Sequence, residues 1–170
     1  GLVCPHYGSL VADSRLTDPN KPRHRSDICL KIVPLNGFGA FAWSGSLDAL
    51  PSVYRSIIRR AARKRGAPEW LLDSRAVRTT LERASVPLGR TQADQRVQML
   101  ILGRFRGGVR VNPRRLDERV GMVLVETAPF KHQVIDYGMA VLGAGQTVEE
   151  ELFKEDLFGA WLHEGFRDRM

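Results

Sequence analysis

Lys31 stands in an otherwise apolar run, Ile28 to Val33, and a lysine placed inside such a strand calls for a carboxylate partner. Asp13, at the end of the preceding strand pattern, suits that role. A lysine held in this way can serve one metal-free chemistry among others. Its ammonium keeps a neighbouring free N-terminal amine neutral at about pH 7, and that amine can then act as general base for the hydroxyl or thiol of its own residue. The plainer reading of the two residues is a loop charge and an edge-strand lysine.

Other reactive residue types carry less. His6, His24, His132 and His163 show no i, i+4 pairing and no acid-spaced cluster, and Cys4 and Cys29 have no metal-ligand spacing, so neither a metal nor a cofactor is expected. Cys4 lies nine residues before Asp13 and precedes Pro5, and it reads as a buried strand residue. Gly37-Phe38-Gly39 leads into a strand, whereas a phosphate loop opens a helix. Gly143-Ala144-Gly145 does open a helix, but Glu149, Glu150 and Glu151 occupy the first turn and would repel phosphate.

The elements that must position Asp13 and Lys31 follow from periodicity. Leu10-Val11-Ala12 leads as a strand into Asp13, Thr17 to Ser26 is a polar loop, and a second strand begins at Asp27, with Ile28, Leu30 and Ile32 on one face and Cys29, Lys31 and Val33 on the other. Gly37 to Trp43 is a third strand, closed by the turn Ser44-Gly45-Ser46. Leu50, Val53, Tyr54, Ile57, Ile58, Ala61 and Ala62 then form the stripe of an amphipathic helix, ended by Gly66 and Pro68. A second helix spans Leu72 to Ala84. A further run of strands follows: Val97 to Gly103, Val109 to Val111 across a Gly107-Gly108 hairpin turn, Met122 to Val125, and Gln133 to Leu142. Thr147 and Glu150 form a capping box for a last helix with Leu157, Phe158, Trp161 and Leu162 on its apolar face. Strands, helices, strands, helix is an α+β order that fits a four-layer αββα sandwich, as a single domain over residues 1–170.

Composition agrees with a folded domain: 170 residues, 43% apolar and 26% charged, exclude a disordered chain, a collagen and a coiled coil. Residues 32–47 carry no charge, but Pro34, Asn36, Gly37, Gly39 and Gly45 bar a membrane-spanning helix there, and the expected location is the cytoplasm with no membrane partner. The net charge of +7 is concentrated. Arg55, Arg59, Arg60, Arg63, Lys64 and Arg65 fall within one helix without an acid, off its apolar stripe, so Arg59, Arg60 and Arg63 are expected to face solvent or a partner. This leaves an alternative function, a basic module docking an acidic protein or nucleic acid. No aromatic interleaving and no nucleic-acid motif accompany the patch, which disfavours nucleic acid.

Val11-Ala12-Asp13-Ser14-Arg15-Leu16-Thr17, Lys31-Ile32-Val33-Pro34-Leu35, and Phe41-Ala42-Trp43-Ser44-Gly45-Ser46-Leu47-Asp48 before a helix together resemble proteasome β-type subunits and their bacterial relatives in the N-terminal-nucleophile hydrolase superfamily. The later strands and the Gly-x-Gly before a helix fall in the same order, so the resemblance covers most of residues 1–158. It implies hydrolysis of peptide or amide bonds without a cofactor. It makes Asp13 the carboxylate, Lys31 the ammonium, Thr17 a contact to the substrate backbone, Gly45 an oxyanion donor through its N–H, and Leu47 part of the pocket for a substrate side chain. It also implies association into homo-oligomers or rings.

The departures are specific. Counting back from Asp13 places the family's catalytic Thr, Ser or Cys about three or four residues before Gly1, so either the natural terminus lies upstream or the protein is a non-catalytic subunit. The serine that the family usually carries between the two glycines is Ala144 here. Arg167-Asp168 resembles the dipeptide preceding the family's final strand pair, so the last strands are expected to be missing from this chain.

Overall fold

A computed structural model describes residues 1–4, 7–12, 16–18, 21–26, 30–35, 39–63, 68–89, 95–106 and 118–143. The chain opens with a hairpin, β1 (Leu2–Cys4) and β2 (Tyr7–Ser9). The strand expected at Leu10 to Ala12 is displaced into this hairpin, and Val11 and Ala12 are exposed coil. A separate two-stranded ribbon follows, β3 (Leu16–Asp18) and β4 (Lys21–Ser26). The expected polar loop is therefore a paired ribbon, because a ladder is made of main-chain groups and a polar run can form one.

β5 (Ile32–Leu35), β6 (Gly39–Gly45), β7 (Val97–Arg106), β8 (Glu118–Glu126) and β9 (Lys131–Ile135) form one antiparallel sheet in that order. The chain then bends, and β10 (Gly138–Met139) joins β1 and β2 in a three-stranded sheet. The single strand expected over Gln133 to Leu142 is thus divided between two sheets. The bend at Asp136 and Tyr137 and the positive φ of Gly138, +123°, make the break. The partner of β7 is the Glu118 strand, with Arg106 opposite Glu118; the strand expected at Val109 to Val111 lies outside the described residues.

Helix α1 (Leu50–Arg63) buries Val53, Ile57 and Ala61, as its stripe requires, whereas Ala62 is exposed. The second expected helix is interrupted. A 3-10 turn, Glu69–Leu72, ends at Asp73, whose carboxylate accepts the N–H groups of Arg75 and Ala76 and caps α2 (Ser74–Arg83).

These helices cover one face of the five-stranded sheet. Val53, Ile57, Leu71, Val77 and Leu81 pack on Phe41, Trp43, Met99, Ile101, Val123 and Val125, and Phe41 stacks on Tyr54 with ring centroids 5.3 Å apart. The other face carries Leu100 and Met122, which meet Val3 and Ala140 of the short sheet in a second core. The described residues form an α+β fold of helix layer, five-stranded sheet and three-stranded sheet. The helix expected from Thr147 onward lies outside them.

Candidate functional site

Strand alternation places the candidate site. Along β6, Phe41 and Trp43 turn to the helices, while Ala42 and Ser44 turn to the space between the sheets. Ser44 lies opposite Gln98, Gln98 opposite Glu126, and Glu126 opposite Lys131, so a polar row crosses the sheet where β6 ends and β7 begins. One row further in are Ala42, Leu100 and Leu124, which belong to the apolar interior.

Glu126 is only 3% exposed; its Oε2 accepts from Arg96 Nη2 and lies 3.8 Å from Lys131 Nζ. Thr127 Oγ1 accepts the N–H of Val97 at 2.9 Å. Gln98, 5% exposed, accepts the N–H of Gly143 on its Oε1 at 2.9 Å, while its buried Nε2 has no partner among the described residues. Gly143 has φ +68°, and a Cβ there would sit 2.7 Å from Ser44 Oγ. The backbone at Gly143 is therefore seated between Ser44 and Gln98.

β1 points at the same place. The Gly1 amine donates to Ala140 O at 2.7 Å and Ala140 N–H donates to Gly1 O at 3.0 Å, continuing the register in which Leu2 opposes Met139. Residues preceding Gly1 in this register would pass Val141, Leu142 and Gly143 in turn.

Gly45 closes β6 with φ +111°, and any Cβ would collide with the Arg96 carbonyl, so only glycine fits. Ser46 N–H donates to Arg96 O at 2.8 Å; by antiparallel alternation the N–H of Gly45 turns the other way, toward the side where pairing with β5 has ended. Lys31 is half-buried just before β5, and its carbonyl accepts the N–H of Trp43 at 3.1 Å. Trp43 Nε1 also donates to Leu30 O at 3.2 Å, so this tryptophan pins the Leu30–Lys31 segment beside the end of β6. Leu47, in the following turn, is 50% exposed.

By register and sequence, Lys31, Gly45 and Leu47 fall near the same end of the five-stranded sheet, with the Lys31 main chain opposite Trp43. Thr17 lies in the separate ribbon, opposite Arg25, and Asp13 lies outside the described residues, as does Ala144. Arg59 and Arg63 are exposed on α1, but Arg60 corrects the outward reading. Its guanidinium stands 4.8 Å from the Trp70 ring centroid and Nη1 donates to Thr80 Oγ1 at 2.8 Å, because the long arginine stem lets a residue off the stripe fold back over a neighbouring aromatic.

Sequence reasoning missed Ser44, Gln98 and Trp43 as site-building residues. The available signal was Gln98, a lone polar side chain in the run Val97 to Leu102. Among the described residues, no group of three or more His, Cys, Asp or Glu could hold a metal, and no helix is long and apolar enough to cross a membrane. Compared with protein-family models, curated proteins and solved structures, the chain matches none.

Proposed function

We propose that this chain is an N-terminal-nucleophile hydrolase scaffold of the proteasome β type, with the four-layer αββα architecture, cleaving peptide or amide bonds when a Thr, Ser or Cys stands upstream of Gly1. The observation that carries the reading is the register of Gly1 against Ala140. It directs a preceding segment past Gly143, and the count back from Asp13 puts the nucleophile in that same stretch, about three or four residues before Gly1.

In this reading the terminal amine takes the proton of its own hydroxyl or thiol, and the oxygen or sulfur adds to the substrate carbonyl carbon. The Gly45 N–H meets the oxyanion, and Lys31 with Asp13 keeps the amine neutral. Collapse breaks the carbon–nitrogen bond, the proton leaves on the amine product, and water then cleaves the acyl-enzyme. Leu47 lines the side-chain pocket and Thr17 holds substrate backbone. Without the nucleophile, the same scaffold serves as a non-catalytic subunit of a homo-oligomer or ring.

N-terminal sequencing and intact mass of the natural protein, followed by assay on fluorogenic peptide amides, test this. A terminal Thr, Ser or Cys with turnover that disappears on its replacement is expected for the enzyme. A different terminus, no turnover and a monomer at high concentration together sink both forms of the reading.

A second reading rests on the exposure of Arg59 and Arg63, which stand one turn apart on α1 and offer a cationic face to an acidic partner. Normal assembly of Arg59→Glu/Arg63→Glu with loss of retention on an acidic protein or nucleic acid would favour it.

A further inference from the structure

Arg60 carries a charge into the helix layer that no described residue cancels. Its guanidinium is half-buried, 4.8 Å from the centroid of the Trp70 ring, with Nη1 donating to Thr80 Oγ1 at 2.8 Å. Ring and hydroxyl are both neutral, and Thr80 gives its own proton to Ala76 O at 2.7 Å. Among the described residues no carboxylate pairs with Arg60; Glu82 is bonded to Arg78 and Asp73 caps α2. Withdrawing a guanidinium from water without a counter-ion is costly.

Two donors mark the same deficit. Arg60 Nε is buried without an acceptor among the described residues, and so is Nε1 of Trp70, a residue only 8% exposed. A cation stacked on the ring leaves the in-plane indole N–H untouched, and a buried indole N–H ordinarily finds an acceptor. The two donors belong to side chains in contact, and each calls for an oxygen, the guanidinium for one that carries negative charge. Arg59 and Arg63, exposed on α1 beside Arg60 and one turn beyond it, add a positive potential.

We propose that Arg60 and Trp70 form a binding site for a phosphate group, whose oxygens accept from Arg60 Nε and Trp70 Nε1 while Arg59 and Arg63 attract it. A phosphate group suits the site better than a carboxylate because it carries more charge and turns its acceptor oxygens in several directions. Entry requires a rotation of the Arg60 stem, which one hydrogen bond to Thr80 holds. The site is independent of the hydrolase reading, and it differs from docking of an acidic partner in taking a single phosphate group at a buried donor pair.

The test uses the whole chain and inorganic phosphate, titrated against chloride at constant ionic strength, with indole N–H resonances followed by NMR and affinity by calorimetry. The Trp70 resonance, identified by its loss in Trp70→Phe, is expected to shift saturably, while that of Trp43, which already donates to Leu30 O, stays in place. Trp70→Phe keeps a ring under Arg60 and removes the donor, so phosphate affinity should fall by about tenfold, the worth of one hydrogen bond to a charged group. Arg60→Lys keeps the charge but not the Nε donor, and a similar loss is expected. Should Trp70→Phe fail to fold, calorimetry on Arg60→Lys decides. O-phosphoserine, titrated in parallel, separates the sources: binding tighter than that of the free ion assigns the site to a phosphate monoester, and equal or weaker binding assigns it to inorganic phosphate. A Trp70 resonance that ignores phosphate, or an affinity unchanged in Trp70→Phe or Arg60→Lys, overturns the site and leaves both readings above untouched.

Discussion

Lys31 and Arg60 are two cations that the same sequence rules treat alike and that the fold uses differently. Lys31 is pinned beside Gly45 through Trp43, whereas Arg60 is folded onto Trp70 and Thr80. In the proposed hydrolase, Lys31→Ala is expected to reduce peptide-amide turnover by about a hundredfold or more while the melting temperature hardly moves, because the bond that ties this segment to Trp43 is made by the Lys31 carbonyl and survives the substitution. Retained turnover in that variant removes Lys31 from the mechanism. Gly143→Ala tests the seat itself. Its positive φ and the proximity of Ser44 Oγ make a methyl group strained there, and chemical denaturation should show a loss of about 1–2 kcal/mol. Neither constraint can be read from the residue type: glycine announces a turn, but not which hydroxyl lies beside it.

Asp73 shows at the scale of elements why one boundary was misread. The apolar spacing runs without interruption from Leu72 to Ala84, and periodicity merges what capping divides. Because its carboxylate satisfies the N–H groups of Arg75 and Ala76, Asp73→Ala should lower stability by about 1 kcal/mol in thermal or denaturant unfolding, and Asp73→Asn should recover most of it. Helix α1 was legible because it buries a regular face at period 3.6, and the central strands because β7 and β8, covered on both faces, read as near-continuous apolar runs. The assignment of strands to sheets was not. β6 and β7 flank the helices in sequence yet pair over seven positions, Gly39–Gly103 to Gly45–Val97, so the early and late strand runs are one sheet. Pairing partners far apart in the chain leave no local mark, and the polar row of Ser44, Gln98 and Glu126 exists only once that register is set.

The molecule as a whole presents its helix layer with Arg59 and Arg63 outward. Arg59→Glu with Arg63→Glu is expected to weaken self-association in light scattering while leaving the unfolding transition in place, because neither side chain is buried. Arg60→Glu should instead lower the unfolding midpoint, since it removes the cation over Trp70 and the donor to Thr80. Unchanged association in the double variant would separate this face from assembly. The pairing of Gly1 with Ala140 joins residues 139 positions apart, and it sets an order of events during synthesis. At a ribosomal rate of about 5–20 residues per second, the first hairpin waits roughly seven to thirty seconds before its β10 neighbour has been made. Val3 is fully buried only once that interval ends, because Leu100 and Met122 are made late in it and Ala140, the last of the residues that bury it, after β10. β1 is thus made well before its β10 neighbour and is among the last strands to dock, and in the proposed hydrolase an N-terminal amine would come into register beside Gly143 only in a chain whose two sheets had already closed.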